Sequence, residues 1–537
     1  MNWIENPVLR GFNPDPSILR VGDDYYIATS SFEWFPGVPI YHSRDLAHWE
    51  FLAHAVTRKS QIDMSGHPAS CGIWAPCLSY ANGRFYLIYT DVRSRGVYKD
   101  TLNYLITTTD IAGEWSDPVF LNSSGFDPSL FHDDDNRKWL ANMRCDYRKG
   151  KNPFGGIVLQ EYSEKERKLV GPVYSIFSGT PLGKTEGPHL YRHGGYYYLL
   201  TAEGGTGYGH AATLARSRRL TGPYEAAPNN PILTSRDDLS RPLQRAGHGS
   251  LVETRDGEWY MAHLCGRPIP RNARTAGVGP ERRCILGRET AIQKMRWRAD
   301  GWLELADGGH HPQMRVPGPE LPEFSVASRP ARDDFDAPKL DVAYQSLRIP
   351  LDESLMSLAE RPGYLRLKGR ESMSSLYRQS LIARRQQSFC CTASTAVEFE
   401  PDSYRQMAGL ICLYDTENFY YLRISRDEKR GKCLGIIACD DGRFGYPMAE
   451  EIRLEGTARV YLRVQIDYDR LQFYFSTDEK TWTAVGPELD AGILSDEYGT
   501  GSSHGSFTGS FIGLCCQDLN AGGTPADFDY LEYAERE

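Results

Sequence analysis

The chain has 537 residues, of which 40% are hydrophobic and 24% charged, and it carries a net charge of −9. This length exceeds one ordinary core and predicts two large domains, and the acidic balance argues against nucleic acid and acidic membranes as partners. Residues 1–5 lack the start of a secretory signal, and no segment reads as a membrane span. The 12 cysteines form no C-x-x-C pair. We therefore expect reduced thiols and a cytoplasmic location.

Strand-like aromatic clusters recur at a steady interval through the first 300 residues. Their central residues are separated by 60, 53, 59 and 62 positions and are Tyr26, Tyr86, Trp139, Tyr198 and Tyr260. A period of this size in short strands is typical of a β-propeller. Five units predict a five-bladed propeller in residues 1–308, and the scarcity of long amphipathic helical patterns disfavours a TIM barrel.

Three short motifs each place one carboxylate next to a proline or a Gly-Pro pair. They are Asn-Pro-Asp-Pro-Ser with Asp15, Phe-Asp-Pro-Ser with Asp127, and Thr-Glu-Gly-Pro-His with Glu186. Proline restricts the residue before it, so we expect extended backbone at Asp15 and Asp127. A single such motif would read as an ordinary turn.

The three acids precede the aromatic residue of their own unit by 11, 12 and 12 positions. This shared offset places them at equivalent points of three blades, where the entry to each innermost strand lines the central channel. We therefore predict that Asp15, Asp127 and Glu186 converge on one cavity. Such a set of carboxylates suits hydrolysis of a glycosidic bond.

A proline-rich, polar stretch at residues 309–330 is predicted to be a linker. After it, alternating strand patterns such as those at 419–424 and 460–467 predict a β-sandwich over residues 331–537, so that the whole chain is all-β. The Gly-rich stretch 499–513 carries Phe507 and is expected to reach a neighbouring surface. His310 and His311 stand in the linker without metal-ligand partners, so no metal site is expected there.

The three motifs, the five-unit repeat, residues 286–290 (Leu-Gly-Arg-Glu-Thr) and the C-terminal sandwich together resemble glycoside hydrolase family 43. More narrowly, they resemble its two-domain β-xylosidases, whose second domain is a concanavalin-like jelly roll. The resemblance covers essentially the whole chain. It implies that Asp15 is the general base and Glu186 the general acid, with Asp127 orienting the acid and raising its pKa by like-charge repulsion. Inverting enzymes hold base and acid about 6.5–9.5 Å apart so that a water fits between them.

The resemblance also implies a set of substrate-binding residues: Arg288 on sugar hydroxyls, Phe32 and Trp74 as pocket walls, and Phe507 from the second domain. The Gly-rich segment 204–209 lacks the Lys-Ser/Thr ending of a phosphate loop and is expected to shape the pocket wall, with Thr206 touching substrate. Two of these have structural alternatives. Trp74 could be a core residue, and Arg288 could form an ion pair with Glu289.

His248 matches an axial histidine that, in some relatives, helps to hold a hydrated divalent cation such as calcium. A hydrogen-bonded core histidine is the alternative, and hydrolysis by two carboxylates requires no cofactor. Close relatives usually carry an aromatic residue where this chain has Cys145. The resemblance therefore leaves open how the chain binds the sugar beyond the cleaved bond.

The implied function is an exo-acting β-1,4-xylosidase that releases xylose, with inversion, from the non-reducing end of short xylo-oligosaccharides. An α-L-arabinofuranosidase or a bifunctional enzyme is the alternative, because the two sugars present similar hydroxyl patterns. A non-catalytic sugar-binding propeller is more distant, since a binding module has little use for a spaced acid and base. By analogy with relatives we expect a homodimer or homotetramer.

Overall fold

The computed structural model describes residues 3–270, 282–499 and 506–536. Within these ranges the one helical element is a single 3-10 turn, Ala491–Ile493, and all other regular elements are strands. The predicted all-β class is confirmed. No helix in the described ranges has the length and apolar character needed to cross a membrane.

The N-terminal domain consists of five antiparallel sheets, numbered here as blades one to five in chain order. The inner strand of each blade contacts those of its neighbours, and the inner strand of blade five contacts that of blade one, which closes the ring. This confirms the five-bladed propeller. The strands of each blade are given from the inner to the outer edge. Blade one consists of Ser17–Val21, Asp24–Ala28, Gly37–Ser43 and Glu50–Val56, and blade two of Gly72–Ala81, Arg84–Val92, Thr101–Thr108 and Val119–Asn122. Blade three consists of Ser129–His132, Lys138–Cys145, Phe154–Ser163 and Lys168–Phe177, and blade five of Gln244–Glu253, Trp259–Gly266, Arg288–Trp297 and Leu303–Leu305. Blade four consists of Glu186–His193, Tyr196–Glu203 and Ala211–Ser217, and both Glu225–Ala226 and Leu233–Thr234 pair with Ala211–Ser217.

The aromatic residues that define the repeat all lie on the second strand of their blade. Neighbouring blades cover both faces of these strands. In blade two, every residue of Arg84–Val92 after the first is therefore buried. A strand buried on both faces reads as a continuous apolar run, which is why these strands were visible in the sequence.

The C-terminal domain is a sandwich of two antiparallel sheets around an apolar core that includes Leu422, Leu462 and Phe473. One sheet runs Met356–Ser357, Leu365–Lys368, Pro525–Glu535, Cys390–Glu398, Arg459–Asp467, Arg470–Ser476 and Thr483–Asp490, with Arg332–Asp333 pairing with Pro525–Glu535. The other runs Leu381–Arg385, Phe511–Asp518, Gln406–Leu413, Phe419–Asp427, Gly431–Asp440 and Arg443–Gly445, with Ile452–Arg453 pairing with Gly431–Asp440.

The chain between the two domains is anchored on the propeller. Its strand Arg315–Pro317 pairs with Trp3–Glu5 near the start of the chain. Beyond it, Ser346–Leu347 pairs with Trp34–Phe35, between the second and third strands of blade one.

The two domains share an apolar contact at this junction. Trp34 is fully buried, and its ring stacks on that of Phe511 with centroids 3.7 Å apart. Phe511 begins a strand of the sandwich, so the interface is continuous with the cores of both domains.

Candidate active site

The structure brings Asp15, Asp127 and Glu186 together in one cavity of about 450 Å³. Asp15 and Asp127 each lie two residues before the inner strand of their blade, and Glu186 is the first residue of the inner strand of blade four. The shared offset in the sequence therefore corresponds to equivalent positions around the propeller axis. All three carboxylates are buried.

The expectation of extended backbone at Asp15 and Asp127 is wrong. Both residues have a φ of 54°, in the left-handed region. A following proline disfavours the right-handed helical region, whereas aspartate tolerates the left-handed one. Phe32 and His248, which line the same cavity, have φ values of 50° and 49°. Backbone held in this region costs roughly 1–3 kcal/mol per residue and clusters at functional sites.

Asp15 is surrounded by groups that favour its ionised form. Ser30 Oγ donates to Asp15 Oδ2 at 2.6 Å, and Arg288 Nη1 donates to Asp15 Oδ1 at 2.8 Å. His248 Nδ1 lies 3.8 Å from the same Oδ1. Burial would raise the pKa of Asp15, but Arg288, His248 and the Ser30 hydrogen bond outweigh it and lower the pKa. Asp15 is therefore ionised at neutral pH.

Arg288 does not form the alternative ion pair with Glu289. Its Nη1 bonds to Asp15, and its Nη2 donates to the carbonyl oxygen of Phe507 at 3.0 Å. Glu289 instead accepts two hydrogen bonds from Arg267, at 2.6 and 2.8 Å. Alternate residues of a strand point to opposite faces, so Arg288 faces the cavity while Glu289 faces away from it.

Glu186 is in the opposite protonation state. Burial, followed by the negative charge of Asp15, raises the pKa of Glu186 to about 8, although Lys184 and Arg288 act against this rise. Glu186 therefore keeps its proton at neutral pH. Asp15 adds a like charge to this site, and Asp127 and Glu186 also repel each other.

Asp127 contacts the backbone that carries Glu186. Its Oδ2 accepts a hydrogen bond from the Gly187 N–H at 3.0 Å. Burial, and then the charges of Glu186 and Asp15, raise the pKa of Asp127 well above its usual value. This contact fixes the direction in which the neighbouring Glu186 side chain leaves the strand.

Three aromatic rings form one wall of the cavity. The ring centroids of Phe32, Trp74 and Phe507 lie 5.4–6.0 Å from one another. Trp74 is 9% exposed, so it is buried in the fold and also lines the cavity. Ser70 links the rings, because its carbonyl accepts from Trp74 Nε1 at 3.0 Å and its Oγ accepts from the Phe507 N–H at 3.0 Å. Phe507 thus reaches the cavity from the second domain.

Thr206 also lines the cavity and lies on the Gly-rich segment between the second and third strands of blade four. Its carbonyl oxygen accepts a hydrogen bond from Arg245 Nε at 3.0 Å. Arg245 is buried and ion-paired with Asp496 and Glu497 of the sandwich domain, both at 2.8 Å. The second domain therefore supports this wall as well.

His248 is buried in the cavity, and its ring lies against Gly187, where an added Cβ would come within 3.0 Å of it. Burial lowers the pKa of His248, which leaves the imidazole neutral and able to act as a ligand. Among the described residues, ligand atoms of His, Cys, Asp and Glu do not converge in threes around His248. His248 would therefore offer one imidazole nitrogen to a hydrated cation at this position.

Several cavity residues carry no recognisable motif and were missed in the sequence. Lys99 and Lys184 line the cavity, and Lys99 Nζ lies 5.3 Å from the centre of the Trp74 ring. Tyr147 and Phe154 line it too, as does Cys145, the one residue of this group that the sequence analysis indicates. The one available signal was proximity: Lys184 stands two positions before Glu186, and Tyr147 two after Cys145.

The chain matches known proteins over its whole length. Residues 4–303 match the family model of glycosyl hydrolases family 43, and residues 332–534 match the beta xylosidase C-terminal concanavalin A-like domain. A beta-xylosidase of Bacillus subtilis is 50% identical (99% of this chain, 100% of the relative), and xylosidase/arabinosidase 43B of Humicola insolens is also 50% identical (99% and 98%). The crystal structure of a xylan beta-1,4-xylosidase from Bacillus halodurans superposes with a TM-score of 0.96 at 56% identity, covering 99% of this chain and 100% of the other. The chain belongs to glycosyl hydrolases family 43.

Proposed function

We propose that this protein is an exo-acting β-1,4-xylosidase that releases xylose from the non-reducing end of short xylo-oligosaccharides with inversion. The observation that carries the proposal is one cavity that holds Asp15, bonded to Arg288 and Ser30, together with Glu186, whose pKa burial raises to about 8. A glycosidase needs one ionised and one protonated carboxyl group, and inversion is what the family resemblance implies. The similarity to the B. subtilis and B. halodurans enzymes supports xylose as the sugar and a β-1,4 bond as the linkage.

The three carboxyl groups have separate roles in this proposal. Asp15 accepts a proton from water while the water oxygen bonds to the anomeric carbon. Glu186 gives its proton to the glycosidic oxygen as the bond between that oxygen and the anomeric carbon breaks. Asp127 acts through its hydrogen bond to the Gly187 N–H, which positions Glu186.

The remaining cavity residues bind the terminal sugar. The rings of Phe32, Trp74 and Phe507 form an apolar wall, and Arg288 and Thr206 supply polar contacts. Phe507 extends this wall from the sandwich side. We propose that a cavity of about 450 Å³ admits the end of a sugar chain and so favours exo over endo cleavage.

A second candidate is α-L-arabinofuranosidase activity in the same cavity. The H. insolens relative is named for both xylosidase and arabinosidase activity. A bifunctional enzyme would use the same base and acid on both sugars. The ratio of kcat/KM values on 4-nitrophenyl β-xyloside and 4-nitrophenyl α-L-arabinofuranoside measures the two activities.

We further propose that hydrolysis needs no metal ion. A hydrated divalent cation beside His248 would add positive charge near Asp15 and favour its ionised form. Dialysis against EDTA should therefore leave most activity in place.

We also propose a homodimer or homotetramer, to be measured by light scattering, and a cytoplasmic location, which the 12 unpaired cysteines support.

The test of the proposed reaction is a proton NMR time course with xylobiose. Early α-xylose, before mutarotation, is the expected product. Early β-xylose would show retention and remove the role proposed for Asp15. Absence of xylose, together with activity on the arabinofuranoside, would favour the second candidate, and absence of both activities would favour a sugar-binding propeller.

A further inference from the structure

Two adjacent histidines of the interdomain chain meet one aspartate of the propeller. His310 Nε2 lies 2.9 Å from Asp237 Oδ2, and His311 Nε2 lies 2.8 Å from Asp237 Oδ1. The expectation that the His310–His311 pair lacks metal-ligand partners is therefore wrong. The missing partner is 73 positions away along the chain and could not be seen in the local sequence.

The geometry points to a metal site, and we propose that Asp237, His310 and His311 bind one Zn²⁺ or a similar transition-metal ion. One ligand atom from each residue lies within 4.8 Å of the others, and this is the single place in the described ranges where three such residues converge. Two imidazoles and one carboxylate suit Zn²⁺, Ni²⁺ and Cu²⁺. Water would complete the coordination, because all three side chains are partly exposed, by 22–52%.

The ligands are held on anchored backbone. Asp237 lies in the connection between Leu233–Thr234 of blade four and Gln244–Glu253 of blade five. The Thr234 N–H donates to the carbonyl oxygen of His310 at 2.8 Å, and Gln313 Nε2 donates to that of His311 at 3.2 Å. Backbone fixed on both sides reduces the entropy that metal binding would otherwise cost.

A small adjustment admits the ion. Zn²⁺ bonds to nitrogen and carboxylate oxygen at about 2.0–2.2 Å, so tetrahedral ligands stand roughly 3.3 Å apart. The present N···O separations of 2.8 and 2.9 Å need to open by about half an ångström. Each Nε2 must also give up the proton that it shares with Asp237, either to Nδ1 of its own ring or to solvent, so acid weakens binding.

His42 also contacts two carboxylates, but its contacts do not meet at one point that an ion could occupy. His42 contacts Asp24 through Nε2 at 2.9 Å and Glu50 through Nδ1 at 2.8 Å. The two ring nitrogens point in opposite directions, so these carboxylates cannot meet at one ion. The Asp237 group differs because both Nε2 atoms point to the same carboxylate.

An ion at this site would link two segments that lie outside the sugar cavity. It would connect the chain that follows Leu303–Leu305, the last strand of blade five, to the connection between blades four and five. None of the three residues lines the cavity of Asp15 and Glu186. Metal binding should therefore raise thermal stability and leave glycosidase activity unchanged.

The test is isothermal titration of the EDTA-treated, full-length protein with ZnCl₂ at pH 7.5, together with thermal unfolding. We expect about one ion per chain, binding at least tenfold weaker in Asp237→Asn and His311→Gln, and a Zn²⁺-dependent rise in Tm that both variants lose. His48→Gln is the matched control, because the half-exposed His48 ring contacts one carboxylate, that of the buried Asp45, at 2.7 Å. Asp237→Asn and His311→Gln keep hydrogen-bonding side chains, so their metal-free Tm should equal that of the wild type.

Two results would overturn the proposal. One is the absence of saturable Zn²⁺ binding to the wild type. The other is binding that is equally strong in Asp237→Asn, which would place the ion elsewhere. Activity on xylobiose is measured in parallel and is expected to be equal in all four proteins.

Discussion

Arg288 and Asp15 form a buried ion pair, with Nη1 2.8 Å from Oδ1 and side chains that are 2% and 7% exposed. The pair links the last blade to the first, because Arg288 lies on the third strand of blade five and Asp15 precedes the first strand of blade one. Arg288 of blade five therefore offsets the effect of burial on the pKa of the base in blade one.

Two substitutions of Arg288 test its charge and its hydrogen bonds separately. Arg288→Gln removes the charge that lowers the pKa of Asp15, so the acidic limb of the kcat/KM profile should move to higher pH. Arg288→Lys keeps the charge but cannot bond both Asp15 and the Phe507 carbonyl, so we expect a loss of about 10–100-fold with a smaller shift of the limb. An acidic limb that stays in place in Arg288→Gln would contradict this account of Asp15.

Removing the carboxyl of Glu186 should affect substrates unequally. We expect Glu186→Ala to lower kcat on xylobiose by about 10²–10⁴-fold, because the leaving sugar needs a proton. Aryl xylosides with good leaving groups need little protonation and should lose much less. Asp15→Ala, which removes the base, should reduce both activities alike. Equal losses on both substrates in Glu186→Ala would count against its role as the acid.

The alkaline limb of the pH profile should report the same group. The pKa of Glu186 is raised to about 8, so its acid form, and with it kcat/KM on xylobiose, should fall as the pH rises through about 8. Residual activity of Glu186→Ala on an aryl xyloside should lack this limb. Rates measured from pH 5 to pH 10 with both substrates provide the comparison, and a limb that persists in the variant would assign it to another group.

Glu33 should make stability depend on pH. Its side chain is 1% exposed and accepts from the Ser70 N–H at 2.9 Å, and burial raises its pKa from 4.5 to about 7 even though Arg348 opposes the rise. Between these values the folded protein holds a proton that the unfolded chain has lost. The free energy of unfolding should therefore fall by about 3 kcal/mol as the pH rises through this window.

Glu33→Gln imitates the protonated carboxyl and should remove this fall in stability. Urea unfolding at pH 4.5 and pH 7.5, followed by tryptophan fluorescence, measures the difference. Glu50→Gln alters a more exposed carboxyl on the same blade and should keep the wild-type dependence. A Glu33→Gln protein with the same pH slope as the wild type would show that Glu33 is ionised throughout.

Phe507 should matter for binding more than for folding. We expect Phe507→Ala to raise KM about tenfold or more, because it removes a ring that contacts both Phe32 and Trp74. Phe444→Ala serves as a control, since this ring is 57% exposed on an outer strand of the sandwich and should leave KM unchanged. An unchanged KM in Phe507→Ala would remove the second domain from sugar binding.

The sequence predicts the architecture well because both of its signals are local. One aromatic cluster per blade marks a strand buried on both faces, and the common offset of Asp15, Asp127 and Glu186 marks the inner strand that follows each acid. These patterns depend on neighbouring residues within a single blade. They were therefore sufficient to predict the blade number and the convergence of the acids.

Features that depend on tertiary contacts were not predictable in this way. The left-handed backbone of Asp15 is compatible with its bonds to Ser30 and Arg288, which a rule about proline cannot anticipate. Lys99 reaches the cavity from a connection in blade two that carries no motif. The partner of His310 and His311 becomes apparent only when the propeller is assembled.

The order of strands in the sandwich has a consequence for synthesis of the protein. Phe511–Asp518 lies between Leu381–Arg385 and Gln406–Leu413, and Pro525–Glu535 lies between Leu365–Lys368 and Cys390–Glu398. Each sheet therefore lacks an interior strand until residues 511–535 have been synthesised. Phe507 lies just before these residues, so the propeller translated first has an incomplete sugar cavity.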